Sequence, residues 1–203
     1  MDRKAHWETV YTTRAAHEVG WFQPRPETSL QLIARAGVER GEPLIDVGGG
    51  ASLLVDRLLD AGYGDVSVLD ISAAAIDVAY RRLGGWANRV HWLVEDAAKF
   101  EPLRQYALWH DRAVFHFLTD PAERAAYVMV AMKAVRPGGS LIVATFGPQG
   151  PEQCSGLPVV RYAPSDLDGQ FSAGFERVES VEEIHTTPGG AAQQFVYCRF
   201  VRR

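Results

Sequence analysis

Glycines and carboxylates at defined spacing give this chain of 203 residues its clearest chemical signal. An apolar run over 44–47 leads directly into Gly48–Gly50, and a second apolar run over 66–69 ends at Asp70. Glycine has no Cβ, so the backbone can turn sharply there and a ligand can lie against it. Asp70 follows the glycines at about the 20-residue offset expected for a carboxylate that accepts hydrogen bonds from ribose hydroxyls. The pattern predicts a nucleoside cofactor at the carboxyl edge of a parallel sheet.

The residues around the glycines indicate which kind of nucleoside cofactor is bound. A dinucleotide site requires a third glycine, and Leu53 stands at that position. Asp46 would repel a pyrophosphate but would attract a ligand that carries ammonium and sulfonium charge. The sequence also lacks the Tyr-x-x-x-Lys pair of a nicotinamide dehydrogenase. These observations favour a sulfonium cofactor over a dinucleotide.

Three polar residues follow the apolar run over 106–109 and are candidates for catalysis. His110 and Asp111 are placed to take a proton from an acceptor, and Arg112 to bind a carboxylate of the acceptor or of the cofactor. An ion pair of Asp111 with a nearby arginine and core packing of His110 are the alternatives. The spacing of His110 and His116 does not match a helical metal site, so no metal is expected.

Four aromatic residues, Trp7, Tyr11, Trp21 and Phe22, precede the first predicted strand. Such a set often belongs to a core. Their clustering within so short a segment favours a lid over the cofactor, because a sulfonium gains on the order of 1 kcal/mol from aromatic faces.

Apolar periodicity predicts five strands that alternate with helices, followed by two more strands. The predicted strands cover 44–47, 66–69, 90–94, 106–109, 141–146, 175–184 and 195–200. The predicted helices cover 4–18, 26–36, 52–61, 72–83, 121–135 and 165–171, and a long loop covers 147–163. This alternation implies an α/β fold with a doubly wound parallel sheet.

The composition is that of an ordinary globular protein, with 47% apolar residues, 23% charged residues and a net charge of −4. The basic residues are scattered, so we expect no nucleic-acid partner. Cys154 and Cys198 form neither a disulfide framework nor a metal knuckle. Without a signal-peptide core or a run of membrane-spanning length, the chain is expected to be cytoplasmic and to have no membrane partner.

The order and spacing of these motifs resemble the class I S-adenosylmethionine-dependent methyltransferases. The resemblance covers 40–203 and rests on segments at 44–51, 68–72, 94–97, 108–112 and 135–139. It implies S-adenosylmethionine as cofactor and a Rossmann-like, mostly parallel sheet of seven strands, with an antiparallel last strand and helices on both faces. The cofactor-binding residues that it implies are Asp46, Gly48, Gly49, Gly50, Asp70, Ile71, Asp96 and Ala97, with Trp7, Tyr11 and Trp21 from the lid.

We expect a single methyltransferase domain over 1–203. Within it, 1–40 would form a helical lid segment, 41–146 the cofactor-binding core, and 147–203 a substrate loop and terminal strands.

Two branches of the family are similar in finer detail. Asp111-Arg112-Ala113, Thr145-Phe146-Gly147-Pro148 and Gly156-Leu157-Pro158 resemble the thiopurine, thioether and halide methyltransferases, although those tend to have Gly-Pro-Pro at the last position. The spacing of Trp7 and Tyr11, with the Trp21-Phe22 pair, resembles small protein-lysine methyltransferases, whose fourth motif reads Asp-Lys-Gly-Thr instead.

The prediction is therefore methyl transfer by in-line displacement to a small-molecule acceptor, namely a thiol, selenol, halide or small acid. Its catalytic candidates are Asp111, Arg112 and His110. A protein-lysine methyltransferase, with a protein as substrate, is the first alternative. A cofactor-binding regulator without catalysis is the second.

Overall fold

The computed structural model describes residues 2–203, which contain six α-helices and nine strands. The helices are α1 (Arg3–Thr13), α2 (Glu27–Arg35), α3 (Leu54–Asp60), α4 (Ala73–Leu83), α5 (Pro121–Ala134) and α6 (Pro164–Phe171). The strands are β1 (Leu44–Val47), β2 (Val66–Asp70), β3 (Val90–Val94), β4 (Tyr106–Arg112), β5 (Val135–Phe146), β6 (Gln153–Cys154), β7 (Leu157–Pro158), β8 (Phe175–Thr186) and β9 (Ala192–Arg202). Short 3₁₀ turns cover Gly84–Arg89 and Phe115–Phe117.

Seven strands form the main sheet in the order β3-β2-β1-β4-β5-β9-β8. Strands β1 to β5 pair in parallel, and β9 runs antiparallel to both β5 and β8. This confirms the predicted Rossmann-like sheet with its antiparallel last strand. The strand order reverses between β1 and β4, and open α/β sheets bind ligands beyond the carboxyl ends of the strands at such a point.

Apolar side chains pack on both faces of the sheet. One cluster joins Trp109 of β4 to Tyr127 of α5 and other residues of α5 and α6. The other cluster joins Leu108 of β4 to Leu32 of α2 and residues of α3. Adjacent residues of β4 thus point to opposite faces, as the pleat of a strand requires.

Helix α1 ends at Thr13, so the prediction that it continues to residue 18 was wrong. The hydroxyl groups of Thr12 and Thr13 bond to backbone carbonyls one turn earlier, and Arg14 adopts an extended backbone. Threonine is β-branched and favours a helix only weakly, which agrees with an end at this point. The chain then turns and brings Trp21 back toward α1.

Strand β4 extends to Arg112, three residues beyond its predicted end at Trp109. The extension pairs Asp111 with Val143 and continues the register with β5. His110 and Arg112 therefore point to one side of the sheet and Asp111 to the other.

The predicted long loop over 147–163 contains a short hairpin made by β6 and β7. Its turn residues Ser155 and Gly156 both have positive φ angles, 52° and 76°. That conformation matches the primed turns that close two-residue hairpins. Within residues 2–203, no helix is both long and apolar enough to cross a membrane.

Candidate functional site

The glycine turn after β1 approaches its neighbours so closely that side chains are excluded. Gly48 has a φ of 70°, and a Cβ there would collide with Val114. A Cβ at Gly50 would collide with the carboxylate of Asp70 and would lie 2.7 Å from the Cβ of Ala75. The glycines predicted from the sequence thus bring the ends of β1 and β2 into direct contact.

Two cavities adjoin this turn. The first, here called the α1 cavity, has about 740 Å³ of open space including its mouth. It is lined by Arg3, Trp7, Tyr11, Trp21, Gly48, Leu69, Asp70, Ile71, Glu95, Asp96, Ala97, Arg112, Ala113, Val114, Phe117, Leu118 and Cys154. The second, here called the glycine-loop cavity, has about 570 Å³. Its walls include Tyr11, Trp21, Phe22, Gln23, Ser29, Asp46, Gly48, Gly49, Leu53, His110 and Arg112.

Asp46 lies in the wall of the glycine-loop cavity and is only 2% exposed. Its Oδ1 is 2.7 Å from Nδ1 of His110, whose Nε2 is 2.9 Å from the hydroxyl of Ser29 in α2. Its Oδ2 has no hydrogen-bond partner among the described residues. A buried carboxylate oxygen without a partner carries a desolvation cost, which a donor or a cation in the cavity would offset.

Asp70 ends β2 and faces the α1 cavity. Its Oδ1 accepts the backbone N–H of Ser72 at 2.9 Å, and Ser72 caps α4 as predicted. Burial raises the pKa of the Asp70 carboxyl to about 7 in the ligand-free protein. Hydroxyl donors of a ligand would favour the ionised carboxylate and lower that pKa.

Asp96 and Ala97 follow β3 and line the α1 cavity, as does Ile71 after β2. The carboxylate of Asp96 accepts the backbone N–H of Ala98 at 3.0 Å. Arg3 of α1 lies 3.8 Å from Asp96 and pairs through two hydrogen bonds with Glu123 of α5. The start of α1 is thereby fixed over this end of the cavity.

Arg112 lines both cavities. Its Nε donates to the hydroxyl of Tyr197 at 2.9 Å, its Nη1 donates to the carbonyl of Trp21 at 3.1 Å, and its guanidinium lies 4.3 Å from the ring centre of Phe195. Its buried Nη2 has no hydrogen-bond partner in the part of the chain that the structure describes, and Glu183 is 3.9 Å away. The guanidinium is therefore oriented firmly and keeps one donor for a ligand.

Asp111 points away from both cavities, into the interface between β4 and α5. Its carboxylate accepts hydrogen bonds from the hydroxyl of Tyr127 and from the backbone N–H groups of Val114 and Phe115. Burial raises the pKa of Asp111 to about 6. The geometry does not support the catalytic role expected for Asp111, because the strand pleat directs it to the opposite face from His110 and Arg112.

The predicted aromatic lid residues converge on the α1 cavity. The ring centre of Trp7 lies 5.4 Å from that of Trp21 and 5.1 Å from that of Phe117. The indole Nε1 of Trp21 donates to the hydroxyl of Tyr11 at 3.1 Å. Phe22 lies in the wall of the glycine-loop cavity instead.

Glu8 is a residue that sequence reasoning missed, and it anchors α1. Its carboxylate accepts the backbone N–H groups of Ala73 and Ala74 at 2.8 and 3.0 Å, and the hydroxyl of Ser72 at 3.1 Å. A carboxylate satisfies the free N–H groups at a helix start and is stabilised by the helix dipole. An acidic residue on a polar helix face gives no sequence signal for such a contact.

Ser29, Phe117 and Tyr197 also belong to the site and were not predicted. Ser29 reaches His110 only because α2 packs over the end of β4. Tyr197 lies on β9, far along the chain. Only the tertiary fold identifies these residues.

Known proteins are similar to this chain in sequence and in fold. Residues 45–141 match the profile of a family described as a methyltransferase domain. Malonyl-[acyl-carrier protein] O-methyltransferase 1 of Ilyobacter polytropus is 25% identical over 112 residues, which cover 55% of this chain and 40% of that protein. The match thus spans well under half the length of this curated relative.

Two solved structures share the fold over nearly the whole chain. One, described for the conversion of a disulfide bond into a thioacetal group during echinomycin biosynthesis, has a TM-score of 0.77 at 20% identity and covers 98% of this chain and 92% of its own. The N-methyltransferase NodS from Bradyrhizobium japonicum WM9, in complex with S-adenosyl-L-homocysteine, has a TM-score of 0.72 at 17% identity and covers 96% and 97%.

Residues 45–141 therefore match a methyltransferase domain, and the chain has the fold of class I S-adenosylmethionine-dependent methyltransferases. Its cofactor is S-adenosylmethionine. Two of the buried groups with unmet hydrogen-bonding capacity, the Asp46 carboxylate and the Arg112 guanidinium, line the glycine-loop cavity and have opposite charges, as the two ends of an α-amino acid do.

Proposed function

We propose that this methyltransferase transfers the methyl group of S-adenosylmethionine to a small-molecule nucleophile that needs no deprotonation by the protein: a thiol, selenol, halide or small acid. One observation carries the proposal. Among the described residues that line the α1 cavity there is no histidine or lysine; we assign the carboxylates of Asp70 and Asp96 to the cofactor, and Glu95 is exposed. The acceptor must then arrive with its lone pair available.

The proposed binding position of the cofactor follows from the charges in the two cavities. Asp46 and Arg112 would hold the ammonium and carboxylate groups in the glycine-loop cavity. Asp70 would accept hydrogen bonds from the ribose and Asp96 from the adenine amino group in the α1 cavity. The sulfonium would then lie where the cavities adjoin, beside Tyr11, which with Trp21, Gly48 and Arg112 lines both.

Bound S-adenosylmethionine supplies an activated methyl group and a neutral leaving group that needs no acid. What remains for the protein is to align the acceptor with the methyl carbon, and such alignment lowers the barrier substantially. Trp7, Tyr11 and Trp21 would exclude water and stabilise the sulfonium through their ring faces. Arg112 would fix the amino-acid end of the cofactor.

The cysteine, tyrosine and histidine side chains nearest to this point are poor bases. Burial raises the pKa of the Cys154 thiol to about 12 and also raises the pKa of the Tyr11 phenol. Both ring nitrogens of His110 are engaged by Asp46 and Ser29. His116, whose pKa burial lowers to about 3, lines neither of the two cavities. An amine or hydroxyl acceptor would lack the proton acceptor that it needs.

The comparisons are compatible with several acceptors, because the similar proteins include an O-methyltransferase and an N-methyltransferase. The structure described for echinomycin biosynthesis concerns sulfur chemistry at a disulfide. That likeness supports a sulfur acceptor, whereas the cavity itself supports the wider class of soft or pre-ionised nucleophiles.

Acceptors that differ only in the reacting atom test the proposal. The protein is incubated with methyl-tritiated S-adenosylmethionine and thiophenol, phenol or aniline, and in parallel with selenols, halides and small carboxylic acids. Label is then counted in protein, soluble and volatile fractions. We expect methylation of thiophenol to exceed that of phenol by about 100-fold, since a hydroxyl acceptor lacks the contribution of a general base.

Other distributions of label would contradict the proposal. Equal rates for thiophenol and phenol would mean that a base exists in the site. Label in a protein band after incubation with a lysate would instead establish a protein methyltransferase. Tight binding of S-adenosylmethionine with no transfer to any fraction would favour a non-catalytic regulator.

A further inference from the structure

A chain of three buried polar groups crosses from α2 through β4 to β1. Ser29, His110 and Asp46 are 0%, 2% and 2% exposed. An ionised Asp46 only accepts hydrogen bonds, so Nδ1 of His110 donates to it at 2.7 Å. Nε2 of His110 lies 2.9 Å from the Ser29 hydroxyl. Contacts at both ring nitrogens fix the orientation of the His110 ring.

The far side of the Asp46 carboxylate faces the glycine turn. A Cβ at Gly49 would collide with Oδ2, and Oδ2 has no hydrogen-bond partner within the described chain. With Oδ1 held by His110, the plane of the carboxylate cannot rotate freely. Oδ2 thus keeps one direction, toward the glycine-loop cavity, where a cationic ligand would meet it.

We propose that Ser29 and His110 are positioning residues that aim Oδ2 of Asp46 at the ammonium group of the cofactor. The inference rests on the proposed function, which places the amino-acid end of S-adenosylmethionine in the glycine-loop cavity. It assigns His110 an orienting role instead of that of a general base.

Two ligands that differ in the amino-acid end separate positioning from general structural support. S-adenosylhomocysteine has the ammonium group, and 5′-methylthioadenosine lacks the whole amino-acid end. Calorimetric titration of both ligands needs no methyl acceptor, so the result is independent of the proposed acceptor class.

His110→Leu is expected to weaken S-adenosylhomocysteine binding by about tenfold and to change 5′-methylthioadenosine binding by less than about twofold. His110→Asn should recover most of the affinity, because its amide N–H can replace Nδ1–H toward Asp46. Asp46→Asn should show the same selective loss. The Asp46→Asn/His110→Leu double variant should lose little more, because the two residues act as one unit.

Ser29→Ala keeps the inference testable if His110→Leu does not fold. It removes one hydrogen bond to Nε2 and is expected to weaken S-adenosylhomocysteine alone by about threefold. Equal weakening of both ligands in these variants would reduce Ser29 and His110 to structural residues. Unchanged S-adenosylhomocysteine affinity in Ser29→Ala and His110→Leu would overturn the inference outright.

Discussion

Asp46 and Asp111 are both buried near the ends of neighbouring strands, yet they differ in what their oxygens contact. Asp111 accepts hydrogen bonds from the Tyr127 hydroxyl and from two backbone N–H groups. Asp46 has one oxygen on His110 and, among residues 2–203, no partner for the other. Burial is common to both residues, whereas unmet hydrogen-bonding capacity distinguishes Asp46, which we propose faces the ligand, from Asp111.

Asp70 is intermediate between Asp46 and Asp111, and its replacement gives the largest expected effect on the free energy of unfolding. Its pKa is raised to about 7, so the folded protein holds this proton more tightly than the unfolded chain does. Its contribution to stability is therefore complete below the ordinary aspartate value and is lost as the pH rises through about 7. Relative to Asp70→Asn, the ligand-free protein should lose on the order of 3–4 kcal/mol of unfolding free energy between pH 4 and pH 8.

Urea unfolding of both proteins across that pH range measures the difference. Saturating S-adenosylhomocysteine should flatten the wild-type curve, because ribose hydroxyls would lower the pKa of Asp70. Parallel pH curves for the wild type and Asp70→Asn would show that Asp70 titrates near its ordinary value. Asp70 would then no longer be intermediate between Asp46 and Asp111.

The sheet and the glycine turn could be predicted from the sequence because local physics determines them. The apolar runs that form β1 and β3 have the predicted bounds, and Ser72 caps α4 as its position indicates. Such features depend on residue types a few positions apart, and the sequence states these directly. The spacing of Gly48 and Asp70 is of the same kind, since both close the same edge of the sheet.

The different roles of the three polar residues at the end of β4 could not be predicted from composition. His110, Asp111 and Arg112 resemble a polar loop, but pairing with β5 continues the strand through them. Only that pairing reveals the alternation that separates Asp111 from its two neighbours. The anchor formed by Glu8 was likewise invisible, because its partners start α4 far along the chain.

Replacing Asp111 tests the structural side of the comparison. Asp111→Ala leaves a buried hydroxyl, one buried N–H and one partly buried N–H without an acceptor, so we expect a loss of about 3 kcal/mol in unfolding free energy. Asp46→Asn should cost less than about 1 kcal/mol, since it keeps the shape of the side chain and one of its oxygens. Urea denaturation gives both values.

Asp77→Ala is the matched control, because Asp77 lies exposed on α4 and, among the described residues, pairs only with Arg81 at the surface. It should shift stability by less than about 0.5 kcal/mol. A stable Asp111→Ala protein that binds S-adenosylhomocysteine normally but has no turnover would restore Asp111 as a catalytic residue. Asp111 would then be grouped with Asp46 as a residue that acts in the site.

Glu8 extends the comparison to a half-buried carboxylate and gives the smallest expected effect. Burial opposes ionisation, but the N–H groups of Ala74 and Ala73 outweigh it and lower the pKa of Glu8. The contact therefore stabilises α1 above the ordinary glutamate pKa and is lost as the pH falls through the lowered value.

Glu8→Gln should weaken S-adenosylhomocysteine binding about threefold at neutral pH, because α1 carries Trp7 and Tyr11 into the cavity. The helix-dipole contact of a carboxylate, which the substitution removes, contributes up to about 1 kcal/mol. Hydrogen exchange over α1 should rise in parallel, whereas Glu18→Gln, the same charge change in the exposed segment after α1, should alter neither measurement. Faster exchange in α1 with unchanged affinity would mean that the lid is dispensable for cofactor binding, and its aromatic residues would then serve the acceptor alone.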